Sequence, residues 1–469
     1  MATVTCPGCL ERDQRIAQLE RRVAELEAAL RDLTARLGTN ATNSGTPPSA
    51  NPPGAPKPVT KKPTGKRPGG QPGHPARLKR RLPPERLHQV RPFVPSHCGR
   101  CHQPLPPHPG PDDPEPTWHQ VAELPKLAAQ VIEYQGHYRT CPGCGTLNHA
   151  PIPHDLKAHS VGPRLAATLG YFAGSHRVSK RGLEEITEDV FDVPVALGTV
   201  ANLHEEVSAA LAPAHAEAVQ AVRDARVKHV DETSWKLGGK LCWLWLAATG
   251  TVAAFLVHAR RGWEALAALL GERIQGFVCS DRWSAYAKLS PLCRQVCWAH
   301  LRRDFQKLVD RGGPAARLGR KLQRIAERVF EEWHLFRGGT FGRRALQNHL
   351  DGTGRELERL LRRGRRCADA KAATFCENLL ALVPAVWRFV VTEGIEPTNN
   401  HAERLLRRGV LWRKSSLGCT SVSGCRFVER MLTVVQTRRL QGRSVLRYLY
   451  DALVAHRSGR PAPSLLAAE

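Results

Sequence analysis

The sequence predicts a multidomain α+β chain arranged around a mixed α/β core, and three observations predict it. The chain has 469 residues, more than one hydrophobic core usually serves, so two to four units are expected. Its middle changes from helical periodicity to closely spaced strand patterns at about Ala225, and the strands stop after Phe305. Ahead of that core lie an a/d stripe, a Pro/Gly-rich basic stretch and paired CxxC motifs, each of a different composition.

Charge and cysteine usage set the bounds. The balance of 69 Lys+Arg against 43 Asp+Glu leaves +26, which points to a polyanionic partner. Nucleic acid fits best, although a basic chain also suits a membrane surface or a ribosome. The first residues, MATVTCPGCLERDQR, lack a basic flank followed by an apolar core, so no secretory signal is read and a cytoplasmic, nucleoid-associated protein is expected. Residues 241–259 are uncharged, but Thr249, Gly250 and Thr251 interrupt them at the centre. Two buried strands explain that run better than a membrane helix, and no membrane partner is expected. Six of the fourteen cysteines sit in CxxC pairs and eight are single, the pattern of a reducing compartment with the pairs available for metal.

Taken in order, Cys6 and Cys9 form a lone CPGC, either half a zinc site completed by another chain or two free thiols. Within residues 10–38, Ile16, Leu19, Val23, Leu26, Leu30, Leu33 and Leu37 recur at alternating steps of three and four. That narrow seam predicts a coiled-coil helix and a homodimer or higher oligomer; an amphipathic helix lying on its own domain is the other reading. Residues 39–84 are too rich in Pro, Gly and Lys/Arg to build a core and predict a flexible basic linker. Nine Lys or Arg and no acid lie between Lys57 and Arg81, which suits either a solvated tail or an arm that neutralises phosphates.

In residues 85–155, Cys98-x-x-Cys101 and Cys141-x-x-Cys144 supply four thiolates, the number a closed structural Zn2+ site requires. The intervening VAELPKLAAQVIEYQGHYRT suits strands, so a zinc ribbon is expected. His97, His102 and His137 lie nearby as competing ligands, and a redox pair is the alternative. Residues 160–223 are helical, with Arg177, Lys180 and Arg181 at a turn; they suit either a DNA-binding helical region or a collar packed on the next domain.

The core, residues 225–430, reads as strand 226–231, strand 241–249, strand 251–258, helix 262–271, strand 276–280, helix 283–289 and strand 294–298. Three consecutive strands followed by alternating helix and strand are the order of a ribonuclease-H-like fold. Asp231 is then expected at the end of the first strand and Asp281 at the end of the fourth, both on one rim. Residues 305–392 read as an Arg-rich helical insertion, either a solvated face or a basic wall beside DNA. Pro397, Asn399 and Asn400 start a helix that carries Glu403 in its first turn, and residues 431–469 are expected as a C-terminal helical tail.

VDETSW at 230–235, CSDRWSAY at 279–286, CWAHLRRDF at 297–305 and PTNNHAER at 397–404 resemble the transposases of the insertion-sequence sixty-six family. The resemblance extends to the N-terminal helix, the GGQPGHP arm and the paired CxxC segment; only the opening CPGC departs from it. It implies a DDE transposase with Asp231, Asp281 and Glu403 as the triad, acting on double-stranded DNA at the element's terminal inverted repeats and at the target. It also implies small accessory transposition proteins.

Carboxylates suit that chemistry. Two Mg2+ (or Mn2+) ions about 3.5–4 Å apart activate the attacking oxygen and stabilise the leaving one, and such ions prefer oxygen ligands. Asp231 is expected to bridge both ions, with Asp281 and Glu403 each holding one. His300, Asn400, Arg404 and Lys414 are expected to support the ligands or touch phosphate, although His300 also suits simple packing at the sheet edge. A zinc-ribbon DNA-binding regulator with an inert core, and a ribonuclease-H-like nuclease without strand transfer, are the competing functions.

Overall fold

The computed structural model of the protein describes residues 7–40, 43 and 81–467. Cys6 and the GGQPGHP arm therefore lie outside the described residues. The chain forms two compact units, one from residues 1–56, 131–189 and 193–469 and a smaller one from 57–130 and 190–192.

The smaller unit is held by polar contacts. Gln120 receives a hydrogen bond from the Leu82 N–H at 2.9 Å and returns one to the Leu82 carbonyl at 3.1 Å. The Arg81 guanidinium lies over Trp118, and Lys126 pairs with Asp192 at 2.8 Å. Val90, Phe93, Val121 and Leu124 stay exposed, so apolar burial contributes little here.

In the larger unit the helix Pro7–Leu37 carries the a/d stripe with every member open to solvent, from 46% exposed at Ile16 to 80% at Leu37. Its C-terminal part is anchored by Asp32, which pairs with Arg311 at 3.2 Å and Lys371 at 2.6 Å. The stripe therefore does not lie on its own domain.

Two short antiparallel strands follow, β1 (Tyr138–Thr140) and β2 (Leu147–His149). They are less than the 121–140 segment led one to expect. Val131, Ile132 and Tyr134 remain exposed, with no second layer to reward further strand pairing.

The helices Pro163–His176, Lys180–Asp189, Leu197–Ala210 and Ala212–Asp224 bury Leu169, Leu183, Val200, Val207, Ala218 and Val222 in one cluster with the sheet. This segment packs on the core, while Lys180 and Arg181 face solvent.

The sheet has five strands: β3 (Val227–Leu237), β4 (Lys240–Ala248), β5 (Ala253–His258), β6 (Phe277–Ser280) and β7 (Arg294–Val296), in the order β5-β4-β3-β6-β7. The first three are antiparallel, and β6 and β7 run parallel to β3. Gly238 and Gly239, with φ of 55° and 79°, form the β3–β4 turn, whose left-handed backbone favours glycine. The uncharged run at 241–259 forms the β4–β5 hairpin, with Leu244 to Ala248 fully buried. Among the described residues no helix is long and apolar enough to cross a membrane.

Two expectations need correction. β3 does not end at Asp231 but runs on to Leu237, because β4 pairs with it along its whole length. The 283–289 helix is only a 3-10 turn at Ser284–Tyr286, since Tyr286 turns inward and is buried.

The edge strand β5 is covered by the helix Val422–Leu440. Glu429, Thr433 and Thr437 accept the N–H groups of Val257, Phe255 and Ala253 at 2.6, 3.0 and 3.1 Å. Four helical residues rise about 6 Å, close to the roughly 6.6 Å of two strand residues, so the two rows match and the edge is closed to other strands. The tail expected from residue 431 therefore starts inside a core helix.

A second cluster lies on the opposite face of the sheet. The helices Trp298–Asp310, Gly313–Arg337, Arg343–Gly364 and Ala370–Leu380 enclose Trp298, Phe305, Leu357 and Phe389. Strand β6 serves both faces, Val278 in the first cluster and Cys279 in the second, as its two-residue alternation requires.

Candidate active site

Strand pairing sets the position of the first two carboxylates. The parallel β3–β6 ladder ends at His229 opposite Cys279, and Asp231 and Asp281 each lie two residues further on. Both thus sit where the ladder has opened. Asp281 is held by its own loop, its Oδ1 accepting the Trp283 N–H at 2.9 Å. The Asp231 Oδ1 accepts the Glu232 N–H at 2.9 Å.

Glu403 arrives from the far end of the chain, in the first turn of the helix Asn400–Ser416. Its Oε1 lies 3.4 Å from Arg303 Nη2 and 3.6 Å from His300 Nδ1, both on the helix Trp298–Asp310. Asn399 ties these pieces together from a fully interior position, 1% exposed. Its side-chain N–H donates to the Val230 carbonyl at 2.8 Å, its Oδ1 meets His229 Nδ1 at 3.0 Å, and its backbone N–H donates to Cys297 Sγ at 3.2 Å.

The electrostatics show a convergence of acids. Burial pushes the Asp231 carboxyl well above its usual value of 3.8, and the charges of Glu232, Asp281 and Glu403 push it further. Glu232 is raised by burial and by Asp281, but it is matched: Tyr286 donates to it at 2.6 Å and Arg261 at 2.8 Å. Arg261 is itself flanked by Trp283 and Trp243, at 3.9 and 4.7 Å from the ring centroids. Asp231 and Asp281 have no ion-pair partner among the described residues. Four carboxylates meet, and two of them lack a cation.

Sequence reasoning missed several residues that build this site. Glu232 and Tyr286 lie inside the motifs VDETSW and CSDRWSAY, but strand alternation alone marks Glu232 only as facing away from Asp231. Arg294 is 2% exposed; it donates to Ser280 Oγ at 3.1 Å, to the Tyr286 carbonyl at 3.2 Å and to the Asp281 carbonyl. It thereby fixes the loop that carries Asp281. Asn399, not Asn400, is the inward member of the Asn pair, while Asn400, Arg404 and Lys414 are exposed on the same helix. His300 is the supporting residue that the structure brings beside Glu403.

The ligand atoms of Cys297, His300 and Glu403 lie within 4.8 Å of one another, the only group of three or more such residues among those described. Asp231, Asp281 and Glu403 are more widely spread. Burial lowers the pKa of His300 and the Arg303 charge lowers it further, against the opposing charges of Asp281, Glu403 and Asp304.

The paired cysteines each form a tight turn. The Cys98 N–H donates to the Gln103 carbonyl at 2.9 Å and His102 N–H returns to Cys98 at 3.0 Å. At the other pair, Cys141 N–H donates to Thr146 at 2.8 Å and Gly145 N–H to Cys141 at 2.9 Å. The Cys101 and Arg100 N–H groups lower the Cys98 pKa, and Thr146 lowers that of Cys144, which favours the thiolate.

Some of the arginine on the helical insertion is paired. Arg311 bonds Asp369 at 2.9 Å, Arg365 bonds Glu377 at 3.0 Å, and Arg328 bonds Glu356 at 3.3 Å.

Comparison with known proteins identifies the family. Residues 159–426 match the family described as Transposase IS66 family, and residues 8–80 match one described as a family of unknown function. The uncharacterised protein y4qI of Sinorhizobium fredii (strain NBRC 101917 / NGR234) is 28% identical over 249 residues, 48% of this chain. The match spans 45% of that relative's length.

Proposed function

Because this chain belongs to the IS66 family of transposases, we propose that it cleaves DNA at the ends of its insertion sequence and joins the freed 3′-hydroxyl to target DNA. One observation carries this reading: Asp231 lies among Glu232, Asp281 and Glu403, and among the described residues neither it nor Asp281 forms an ion pair. The sheet order β5-β4-β3-β6-β7, three antiparallel strands and then two parallel ones, supports assigning the core to the ribonuclease-H-like class.

The carboxylate oxygens of Asp231, Asp281 and Glu403 fit hard divalent cations such as Mg2+ or Mn2+. Asp231 would serve both cation positions, Asp281 one and Glu403 the other. When bound, such a pair activates the attacking oxygen and stabilises the leaving one. The protein's part is to hold its carboxylates still before DNA arrives. Trp283 and Arg294 hold the Asp281 loop, Asn399 locks the Glu403 helix to β3, and Tyr286 with Arg261 confines the charge of Glu232. Arg404 and Lys414, exposed on the Glu403 helix, are placed to meet phosphate, with Lys180 and Arg181 as a further DNA contact.

Three accessory features complete the proposal. The exposed stripe from Ile16 to Leu37 pairs with a second copy, which would bring two element ends together. Cys98, Cys101, Cys141 and Cys144 bind one structural Zn2+, a reading that rests on their number and spacing. The basic linker binds DNA in a salt-dependent way, and small accessory transposition proteins act beside the chain.

The test is a joining assay with the full chain, Mg2+ and an oligonucleotide carrying the element end. Nicking followed by 3′-end joining to target DNA supports the transposase. Nicking without joining would mark a nuclease, and binding without nicking a regulator.

A further inference from the structure

The two cation positions of the proposed centre are not chemically alike. Cys297 and His300 open the helix Trp298–Asp310, Cys297 as its N-cap residue. The His300 N–H donates to the Cys297 carbonyl at 3.1 Å, which holds the imidazole on the first turn, facing Glu403. His300 Nδ1 is buried and has no hydrogen-bond partner among the described residues. Buried polar atoms in folded proteins are ordinarily satisfied, so such a nitrogen calls for an explanation.

The nearest acceptor supplies one. Glu403 Oε1 stands 3.6 Å from His300 Nδ1, too far for a hydrogen bond. That separation is one that two ligands of a single first-row divalent ion adopt when each bond is about 2.0–2.2 Å. Cys297 Sγ completes the group within 4.8 Å and is fixed by the Asn399 N–H at 3.2 Å, so it closes the inner side of the position. Arg303 reaches the same Glu403 oxygen at 3.4 Å, a long contact from a partly exposed side chain.

We propose that His300 Nδ1 is a nitrogen ligand of the cation held by Glu403, which makes this position a mixed nitrogen and oxygen site that prefers Mn2+ to Mg2+. The proposal rests on the reading of Glu403 as a metal ligand. Imidazole favours transition-metal ions over Mg2+, whereas carboxylates accept both Mg2+ and Mn2+. The Asp231 and Asp281 side offers only oxygen and carries no such preference.

Pulsed electron paramagnetic resonance on the full chain, loaded with Mn2+ and without DNA, tests this directly. The wild type is expected to show hyperfine coupling to a directly bound 14N nucleus. His300→Gln should lose that coupling while still binding Mn2+, with its Mn2+ over Mg2+ affinity ratio reduced about tenfold. Cys297→Ser should retain the coupling, and circular dichroism with DNA binding verifies the fold of each variant. Bound Mn2+ without any 14N coupling in the wild type would overturn the His300 assignment and leave the carboxylate reading standing. Retention of both Mn2+ binding and the 14N signal in Glu403→Gln would overturn the two together.

Discussion

The side-chain N–H of Asn399 donates to the carbonyl of Val230 at 2.8 Å, joining the residue before Asp231 to the start of the helix that bears Glu403. These two segments are 169 residues apart in the chain. This interior amide helps fix the distance between the first and last acids of the site, together with Arg413, which binds Thr233 and Ser234 of β3 from the same helix.

Asn399→Ala should therefore damage the site and the fold together. It leaves the Val230 carbonyl and His229 Nδ1 without partners inside the protein, at a cost of about 1–3 kcal/mol. Chemical denaturation should register that loss, and DNA cleavage should fall at least about tenfold, since misplaced reacting groups lose rate steeply. Asn400→Ala, exposed beside it, should leave stability unchanged.

The pH dependence of stability follows from Asp231. Burial and the neighbouring Glu232, Asp281 and Glu403 raise its pKa well above 3.8. A carboxyl raised in the folded state contributes its stability fully below the ordinary value and loses it as pH rises through the folded value. Without added divalent ion, the melting temperature of the wild type should fall relative to Asp231→Asn as pH rises from about 4 towards neutrality. His229, pushed down to about 4 by burial, works the other way and gains stability between there and its ordinary 6.5; it is common to both proteins and cancels in the difference. Mg2+ should restore the wild type and leave the variant unmoved. A difference that is flat with pH would remove the charge cluster from the account.

Removal of residues 1–38 should convert the proposed dimer to a monomer in sedimentation equilibrium. All seven stripe residues, Ile16 to Leu37, are about half exposed or more, and burying such a seam is what drives pairing. An unchanged dimer would place the contact elsewhere.

Elemental analysis should find about one zinc per chain, the content of a single four-cysteine site. Cys98→Ser or Cys141→Ser should lower it sharply, and an absence of zinc in the wild type would end the ribbon proposal.

The sheet was largely legible because its strands carry local signals. The Gly238-Gly239 turn and the apolar run from Leu241 to Ala248 mark the β3–β4 hairpin without outside help. Asp281 was legible for the same reason, as the residue that follows a short apolar strand. What could not be read depends on distant parts of the chain. β3 continues past Asp231 only because β4 is long enough to pair with it, and Tyr286 abandons its helix because Glu232 and Arg294 draw it inward. The pairing of Glu429, Thr433 and Thr437 with β5 is a match between a helix and a strand about 170 to 180 residues apart, which periodicity within either segment does not disclose. At the site, an Asn-Asn pair says nothing of which member points inward, and it is Asn399, not Asn400, that does the joining.

The central claim is that Asp231, Asp281 and Glu403 form one cation-dependent cleavage centre. Its most direct test is cleavage of an oligonucleotide bearing the element end, with Mg2+, by the wild type and by Asp231→Asn, Asp281→Asn and Glu403→Gln, each checked for folding and DNA binding. The account predicts that all three variants bind the DNA as the wild type does and cut it at least about a thousandfold more slowly, on the order of 4 kcal/mol of lost transition-state stabilisation. Cleavage at the wild-type rate by any one of them would contradict the triad.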